Sequence, residues 1–205
     1  MKKNTKLVLL DLDGVIVNTK VNMQMAWSKV QKSFDLEIPF NEYFKNIGLP
    51  FKVILKKISI KKNLNKIEKV YREESIKQFN KIKLYSEIHK TLRKLKKKQI
   101  IVGVVTSKDR IRTIKLIKKF KINIKLIITP SKKLRGKPFP DQLLKAIKIA
   151  KLNRINTIYV GDMLVDYKAA KNAKINFVHA KYGYGKKYIY YKRSIKKFKD
   201  LLKII

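Results

Sequence analysis

Lys6-Leu7-Val8-Leu9-Leu10-Asp11-Leu12-Asp13-Gly14 carries the strongest structural signal in this chain. Four consecutive apolar residues, Leu7 to Leu10, run into two aspartates and a glycine, which describes a strand buried on both faces that ends in a polar turn. Strands of this kind belong to parallel sheets covered by helices. Such sheets bind ligands in the crevice just beyond the carboxyl ends of their strands.

The rest of the chain supports that beginning. From about residue 100 apolar strand-like runs alternate with helical patterns: strands over 100–105, 124–128, 157–160 and 175–178, helices over 86–98, 109–120, 140–151 and 164–173, a loop over 129–138, and a C-terminal helix near 192–203. The alternation predicts an α/β fold with a doubly wound parallel sheet. Residues 18–84 break it. They contain no comparable strand, their apolar residues recur at helical spacing (Val53, Ile54, Ile58; Ile67, Val70, Tyr71), and Pro39, Gly48 and Pro50 punctuate them. The chain therefore divides into a core of residues 1–17 and 85–205 and an inserted α-helical unit of residues 18–84.

Length and composition narrow the possibilities. At 205 residues and 45% hydrophobic content the chain is long enough for a real core. The absence of cysteine excludes a disulfide scaffold, a thiolate metal site and cysteine catalysis. No apolar run approaches the roughly 20 residues of a membrane span. The start, Met1-Lys2-Lys3, is followed by too short an apolar stretch for a signal peptide before Asp11 interrupts it, so a soluble cytoplasmic protein is expected. The 52 basic against 14 acidic residues give a formal net charge of +38, which raises nucleic acid as a partner. However, 45 of the 52 are Lys and only 7 Arg, alongside 28 Ile and 13 Asn but 7 Ala, the signature of AT-rich codons. Nucleic-acid readers favour Arg, so no specific nucleic-acid partner is expected.

Where acids are scarce, clustered acids point to a task. Only 8 residues are Asp, and Asp11, Asp13, Asp162 and Asp166 form two tight pairs after strand-like runs. Helix capping is the plain alternative for such residues. Three further groups stand after other strands: Thr106-Ser107, Lys137, and the Gly161 that precedes Asp162. Converging on one crevice, these groups would offer carboxylates, a hydroxyl, a Lys and free backbone N–H groups. Clustered carboxylates without His or Cys suit Mg²⁺. A Lys, a hydroxyl and helix-start amides suit a phosphoryl group. In the Asp11–Asp13 pair, one carboxylate can attack phosphorus and the other protonate the leaving oxygen.

These motifs resemble the haloacid dehalogenase superfamily, and within it the helically capped phosphatases and mutases of the phosphoglycolate phosphatase and β-phosphoglucomutase type. Asp11-Leu12-Asp13-Gly14-Val15 is similar to the family's first motif, Val104-Val105-Thr106-Ser107 to its second, Gly136-Lys137-Pro138-Phe139-Pro140-Asp141 to its third, and Gly161-Asp162-Met163-Leu164-Val165-Asp166 to its fourth. The resemblance implies Asp11 as nucleophile, Asp13 as acid/base whose backbone carbonyl also meets Mg²⁺, the Thr106 hydroxyl on the phosphate and Lys137 as the phosphate-binding lysine. It implies Asp162 as a Mg²⁺ ligand, Asp166 as an aid to metal or lysine placement, and Gly14 and Ser107 as substrate neighbours. Two positions depart from many relatives, Asn18 (often Asp) and Met163 (often Ser or Thr), and neither carries the covalent step.

The insertion stands where that family carries a cap that closes over the site and reads the non-phosphate part of the substrate. Gly48-Leu49-Pro50-Phe51-Lys52 is expected to face the substrate, with Lys52 either touching a second anionic group or lying in solvent. Arg110 and Arg112 either read an anionic substrate or lie on a helix surface. Met23 and Trp27, four residues apart, read as cap core, and His89 and His179 as structural. The expected activity is Mg²⁺-dependent hydrolysis of a small phosphate monoester, a sugar phosphate or a phosphoglycolate-like acid. A sugar-phosphate mutase shares every motif and stays open as the alternative, and a basic nucleic-acid-binding protein is the rival outside enzymes. A receiver domain is set aside because its phosphorylated Asp follows a middle strand and it has no place for such an insertion.

Overall fold

The computed structural model of the protein describes residues 5–185 and 192–205, so the Met1-Lys2-Lys3 start lies outside the described residues. The chain begins with β1 (Leu7–Leu10) and β2 (Val17–Asn18), then passes through α1 (Lys20–Phe34), α2 (Phe40–Phe44), α3 (Phe51–Lys57) and α4 (Leu64–Lys77). It returns through β3 (Lys83–Leu84) and α5 (Ile88–Lys97) to β4 (Ile101–Val105), α6 (Arg110–Lys119) and β5 (Leu126–Ile128). It ends with α7 (Asp141–Ile149), β6 (Thr157–Gly161), α8 (Leu164–Asn172), β7 (Asn176–Ala180) and β8 (Ser194–Ile195).

Six strands form one sheet in the order β5-β4-β1-β6-β7-β8, and every pairing in it is parallel. β1 lies inside the sheet because its run of apolar residues can be covered on both faces. Successive side chains of a strand point to opposite faces. Accordingly, Val8 and Leu10 join one core with Val104, Ile158 and Val160, and Leu7 and Leu9 join the other with Leu143, Tyr159 and Ala169. All four β1 side chains are fully buried, each worth about 1.5–3 kcal/mol of transfer from water. From β1 the chain moves to β4 and β5 on one side, and from β6 to β7 and β8 on the other. The reversal falls between β1 and β6, the place where such sheets open a crevice.

The helices α1–α4 pack around their own apolar cluster, with Met23, Ala26 and Trp27 of α1 against Tyr43, Leu55 and Tyr71. Trp27 stacks on Tyr43 with ring centroids 4.7 Å apart, and its indole N–H donates to the Ile38 carbonyl at 2.9 Å. The entry to this helical unit and its exit are joined by an antiparallel ribbon of β2 and β3, pairing Val17 with Leu84 and Asn18 with Lys83.

The C-terminal segment differs from the expected helix over 192–203. Ser194 and Ile195 add an edge strand beside β7, and Phe198–Lys203 form a short 3₁₀ helix. Buried Ile195, Phe198 and Leu201 all reach one core, and the Asp200 carboxylate accepts the Lys196 and Lys197 N–H groups at the start of the turn. No helix among the described residues is long and apolar enough to cross a membrane.

Candidate active site

Asp11 is the first residue beyond β1, and its N–H donates to the Val160 carbonyl of β6 at 2.9 Å. That bond fixes the carboxylate at the mouth of the β1/β6 crevice. Lys137, from the loop between β5 and α7, reaches the same point fully buried. Its Nζ stands 2.9 Å from Asp11 Oδ1 and 2.7 Å from Asp166 Oδ1. Asp166, in the first turn of α8, is held on all sides: Oδ1 also accepts the Tyr159 hydroxyl (3.0 Å) and Oδ2 accepts the Met163 N–H (3.0 Å). Its geometry is that of a brace for the Lys137 ammonium.

Asp162 follows β6. One of its oxygens, Oδ2, accepts the Tyr184 N–H at 2.6 Å, and the other, Oδ1, is buried with no hydrogen-bond partner. Asp11, Asp162 and Asp166 each place a carboxylate oxygen within 4.8 Å of the others. Two close approaches make this possible. Gly14 has φ +81°, a left-handed value that costs a residue with Cβ, and a Cβ there would stand 2.2 Å from Asp162 Oδ2. A Cβ on Gly183 would stand 2.3 Å from the Asp162 Cβ. Gly14 donates its N–H to the Val17 carbonyl, so its place beside the site is one of space and not of hydrogen bonding to a ligand.

The electrostatics follow from burial. Desolvation pushes the Asp11 carboxyl up to about 7 against the opposing pull of Lys137. Burial, then Asp166 and Asp11, push the Asp162 carboxyl well above the ordinary range. Burial alone would lower the Lys137 ammonium, but Asp11 and Asp166 outweigh it and hold its pKa above that of an ordinary lysine. Three buried carboxylates thus face one buried ammonium, and the orphaned Asp162 Oδ1 is the atom that most calls for a cation. The all-oxygen donor set fits a hard divalent ion such as Mg²⁺.

Asp13 stands apart from the three-carboxylate cluster. Its Oδ1 accepts the Thr19 hydroxyl at 2.7 Å and its Oδ2 lies 3.2 Å from Lys108 Nζ. Thr106 and Ser107, beyond β4, complete the floor. The Thr106 hydroxyl accepts the Lys108 N–H at 3.2 Å, and the Ser107 hydroxyl donates to the Gly48 carbonyl at 2.6 Å, a direct tie between sheet and helical unit.

Above these residues is a cavity of ≈ 60 Å³. The sheet side supplies Asp11, Asp13, Thr106, Ser107, Lys108 and Arg112, and the helical unit supplies chiefly apolar and aromatic residues, among them Leu49, Phe51, Tyr43 and Tyr71. Gly48, Leu49 and Phe51 therefore face the cavity as expected, but Lys52 does not line it. One position further along α3 is about 100° around the helix, and that turns Lys52 toward α4. There it donates to Asn65 Oδ1 (2.6 Å) and lies 3.8 Å from Glu68. Of the two arginines left open, Arg110 is exposed and Arg112 lines the cavity. Exposed His89 lies away from the cavity, whereas buried His179 has Nε2 3.2 Å from the Asp162 carbonyl. Sequence reasoning missed Lys108 and Tyr184. A lysine carries no signal in this chain, and Tyr184 lies beyond the last motif.

A profile of the haloacid dehalogenase-like hydrolase family matches residues 8–180. The pyrophosphatase PpaX of Bacillus cereus is 30% identical over 185 residues, covering 84% of this chain and 81% of that protein. The phosphoglycolate phosphatase of Aquifex aeolicus is 27% identical over 197 residues, covering 88% and 87%. A hydrolase from Pseudomonas syringae shares the fold with a TM-score of 0.87 at 22% identity, covering 97% of both chains. The chain belongs to the haloacid dehalogenase-like hydrolase family. Within that family it is a phosphatase.

Proposed function

We propose that the protein hydrolyses a small phosphate monoester, a sugar phosphate or a phosphoglycolate-like acid, in a Mg²⁺-dependent reaction through a phosphoryl group carried on Asp11. The observation that carries this reading is the Asp11 carboxylate itself, open to the cavity on one side and paired at 2.9 Å with the buried Lys137 ammonium on the other.

In the first step an Asp11 oxygen attacks phosphorus and the ester P–O bond breaks. Asp13 gives its proton to the leaving alkoxide. In the second step Asp13 takes a proton from water, the water oxygen attacks the same phosphorus, and the Asp11–phosphorus bond breaks to release inorganic phosphate. Lys137 and the Thr106 hydroxyl neutralise and orient the transferring group, the dominant need in phosphoryl transfer. Asp11 and Asp162, with the backbone carbonyl of Asp13, would hold Mg²⁺. When bound, the ion would add charge neutralisation on the phosphoryl oxygens. The helical unit excludes water above the cavity.

The test uses p-nitrophenyl phosphate and a panel of small phosphate esters, with Mg²⁺ or EDTA. Phosphate release that EDTA and Asp11→Asn both abolish is the expected result. Full activity of Asp11→Asn would overturn the assignment of the nucleophile, and an isomerised sugar phosphate with little free phosphate would favour a mutase.

A further inference from the structure

We propose that Pro50 of the helical unit is a positioning residue: lodged against Gly136, its ring presses the loop that carries Lys137 into place. The grip on the phosphoryl group then depends on how the helical unit is seated. This rests on the phosphatase reading and adds to it a residue that lies outside the cavity.

Leu49 and Phe51, on either side of Pro50, both line the cavity, and Pro50 does not. Its ring turns to the core instead. A Cβ added to Gly136 would stand 2.5 Å from the Pro50 Cγ and 3.3 Å from its Cδ, so the ring leaves no room there for a side chain. The Gly136 backbone lies outside the left-handed region, and alanine could adopt it. What calls for glycine at this position is therefore the space that Pro50 fills.

Gly136 precedes Lys137 in the chain, and its carbonyl accepts the Phe139 N–H at 3.1 Å, which closes a tight turn around that lysine. Packed groups transmit a displacement to their neighbours. A push on one end of so short a turn reaches the Lys137 ammonium, which must meet Asp11 at 2.9 Å and Asp166 at 2.7 Å. The neighbouring contacts of the helical unit have the same character. The Ser107 hydroxyl donates to the Gly48 carbonyl at 2.6 Å, and a Cβ on Gly48 would stand 2.7 Å from the Val165 Cγ2. Ser107 follows Thr106, and Val165 precedes Asp166. The segment of residues 48–50 thus rests on the chain neighbours of three site groups that come from three different strand ends. Pro50 is the stiffest member of that segment, because its ring fixes φ, here at −57°.

Titration calorimetry with inorganic phosphate tests the proposal on the whole protein with Mg²⁺, at about 0.15 M salt to screen the general positive charge. Inorganic phosphate has no tail for the helical unit to hold, so its affinity reads the grip alone. Gly136→Ala is expected to weaken phosphate binding about 10-fold and to lower kcat on p-nitrophenyl phosphate at least as much, since about 1 Å of misplacement can cost about 10²-fold. Pro50→Ala removes Cγ and Cδ and leaves its Cβ 3.8 Å from the added methyl, an ordinary contact. The double variant is therefore expected to bind phosphate more tightly than Gly136→Ala, and within about threefold of Pro50→Ala alone. Thermal melting without phosphate follows the fold of each variant. A Gly136→Ala protein that melts earlier but keeps the parental phosphate affinity would overturn the proposal, and so would a loss that Pro50→Ala does not relieve. If Gly136→Ala does not fold, recovery of folding and phosphate binding in the double variant supports the contact, and a double variant that also fails overturns it. Phosphate binding that follows the expected pattern in a protein that releases phosphate from no ester would overturn the phosphatase reading and leave the Pro50 contact standing.

Discussion

The Lys137 ammonium lies 2.7 Å from Asp166 and 2.9 Å from Asp11, so one buried cation is shared between a carboxylate facing the cavity and another sealed beneath it. Removing the cation leaves both buried carboxylates without a counter-charge, although Asp166 keeps the Tyr159 hydroxyl and the Met163 N–H. Lys137→Met is expected to cost about 3–5 kcal/mol of stability in metal-free buffer and to abolish phosphate release. Urea unfolding and a phosphate assay measure the two effects. A variant as stable as the parent would show that the carboxylates are compensated elsewhere.

Asp162 predicts a reversal between metal-free and metal-loaded protein. Its burial among Asp11 and Asp166 raises its carboxyl pKa, which marks the anion as costly when no cation is bound. In EDTA, Asp162→Asn is therefore expected to melt at or above the temperature of the parent. Mg²⁺ stabilises whichever state binds it, so it should raise the melting temperature of the parent and leave that of Asp162→Asn nearly unchanged. Equal Mg²⁺ shifts in both would remove Asp162 from the metal site.

Asp109 sets an acid-side limit on stability. Burial alone would raise its carboxyl, but the Arg112 guanidinium and backbone N–H, with Arg72 further off, outweigh that and hold it below the usual carboxylate range. A depressed folded-state pKa stabilises above the unfolded value of about 3.9, and the gain disappears as pH falls through the folded value. The stability advantage of the parent over Asp109→Asn should be present at neutral pH and shrink below about pH 4. Asp109→Ala, which also removes the helix cap, should cost about 1 kcal/mol at pH 7. Denaturant titrations across this range read both.

Tyr184 joins the catalytic floor to the start of α1. Its hydroxyl lies 2.5 Å from the Thr19 N–H and 3.3 Å from the Thr19 hydroxyl, which in turn donates to Asp13, and its ring packs on Phe44 of the helical unit. Tyr184→Phe keeps the ring and loses those bonds. It is expected to lower kcat several-fold with KM nearly unchanged, because it acts on the orientation of Asp13 and not on substrate contacts. A rise in KM alone would place Tyr184 at the substrate instead.

The parallel sheet was legible because β1, β4 and β6 are long apolar runs that only two-sided burial explains. The convergence of Asp11, Lys137, Asp162 and Asp166 was legible because Asp11 and Asp162 stand directly after strands, and Lys137 and Asp166 lie in the loop and the first helical turn that follow a strand, at the same end of the sheet. What escaped has a physical cause in each case. β2, β3 and β8 are two residues long, too short to show a period. For Arg112 the sequence leaves two readings open, a contact to an anionic substrate and a helix surface. It turns inward because Asp109 and the Tyr71 ring fix it, and the latter is distant in the chain. Lys52 was drawn toward the site by its neighbours in sequence, but the helical turn at Phe51 sends it the other way.

The grip on Asp162 comes from a main-chain amide, that of Tyr184. A donor of this kind is supplied by any amino acid except proline, so it leaves no letter for a motif to record. The family profile ends at residue 180, four positions short of it. A chain cut back to that point would retain every recognisable signature and still lose the anchor that orients one of its three clustered acids.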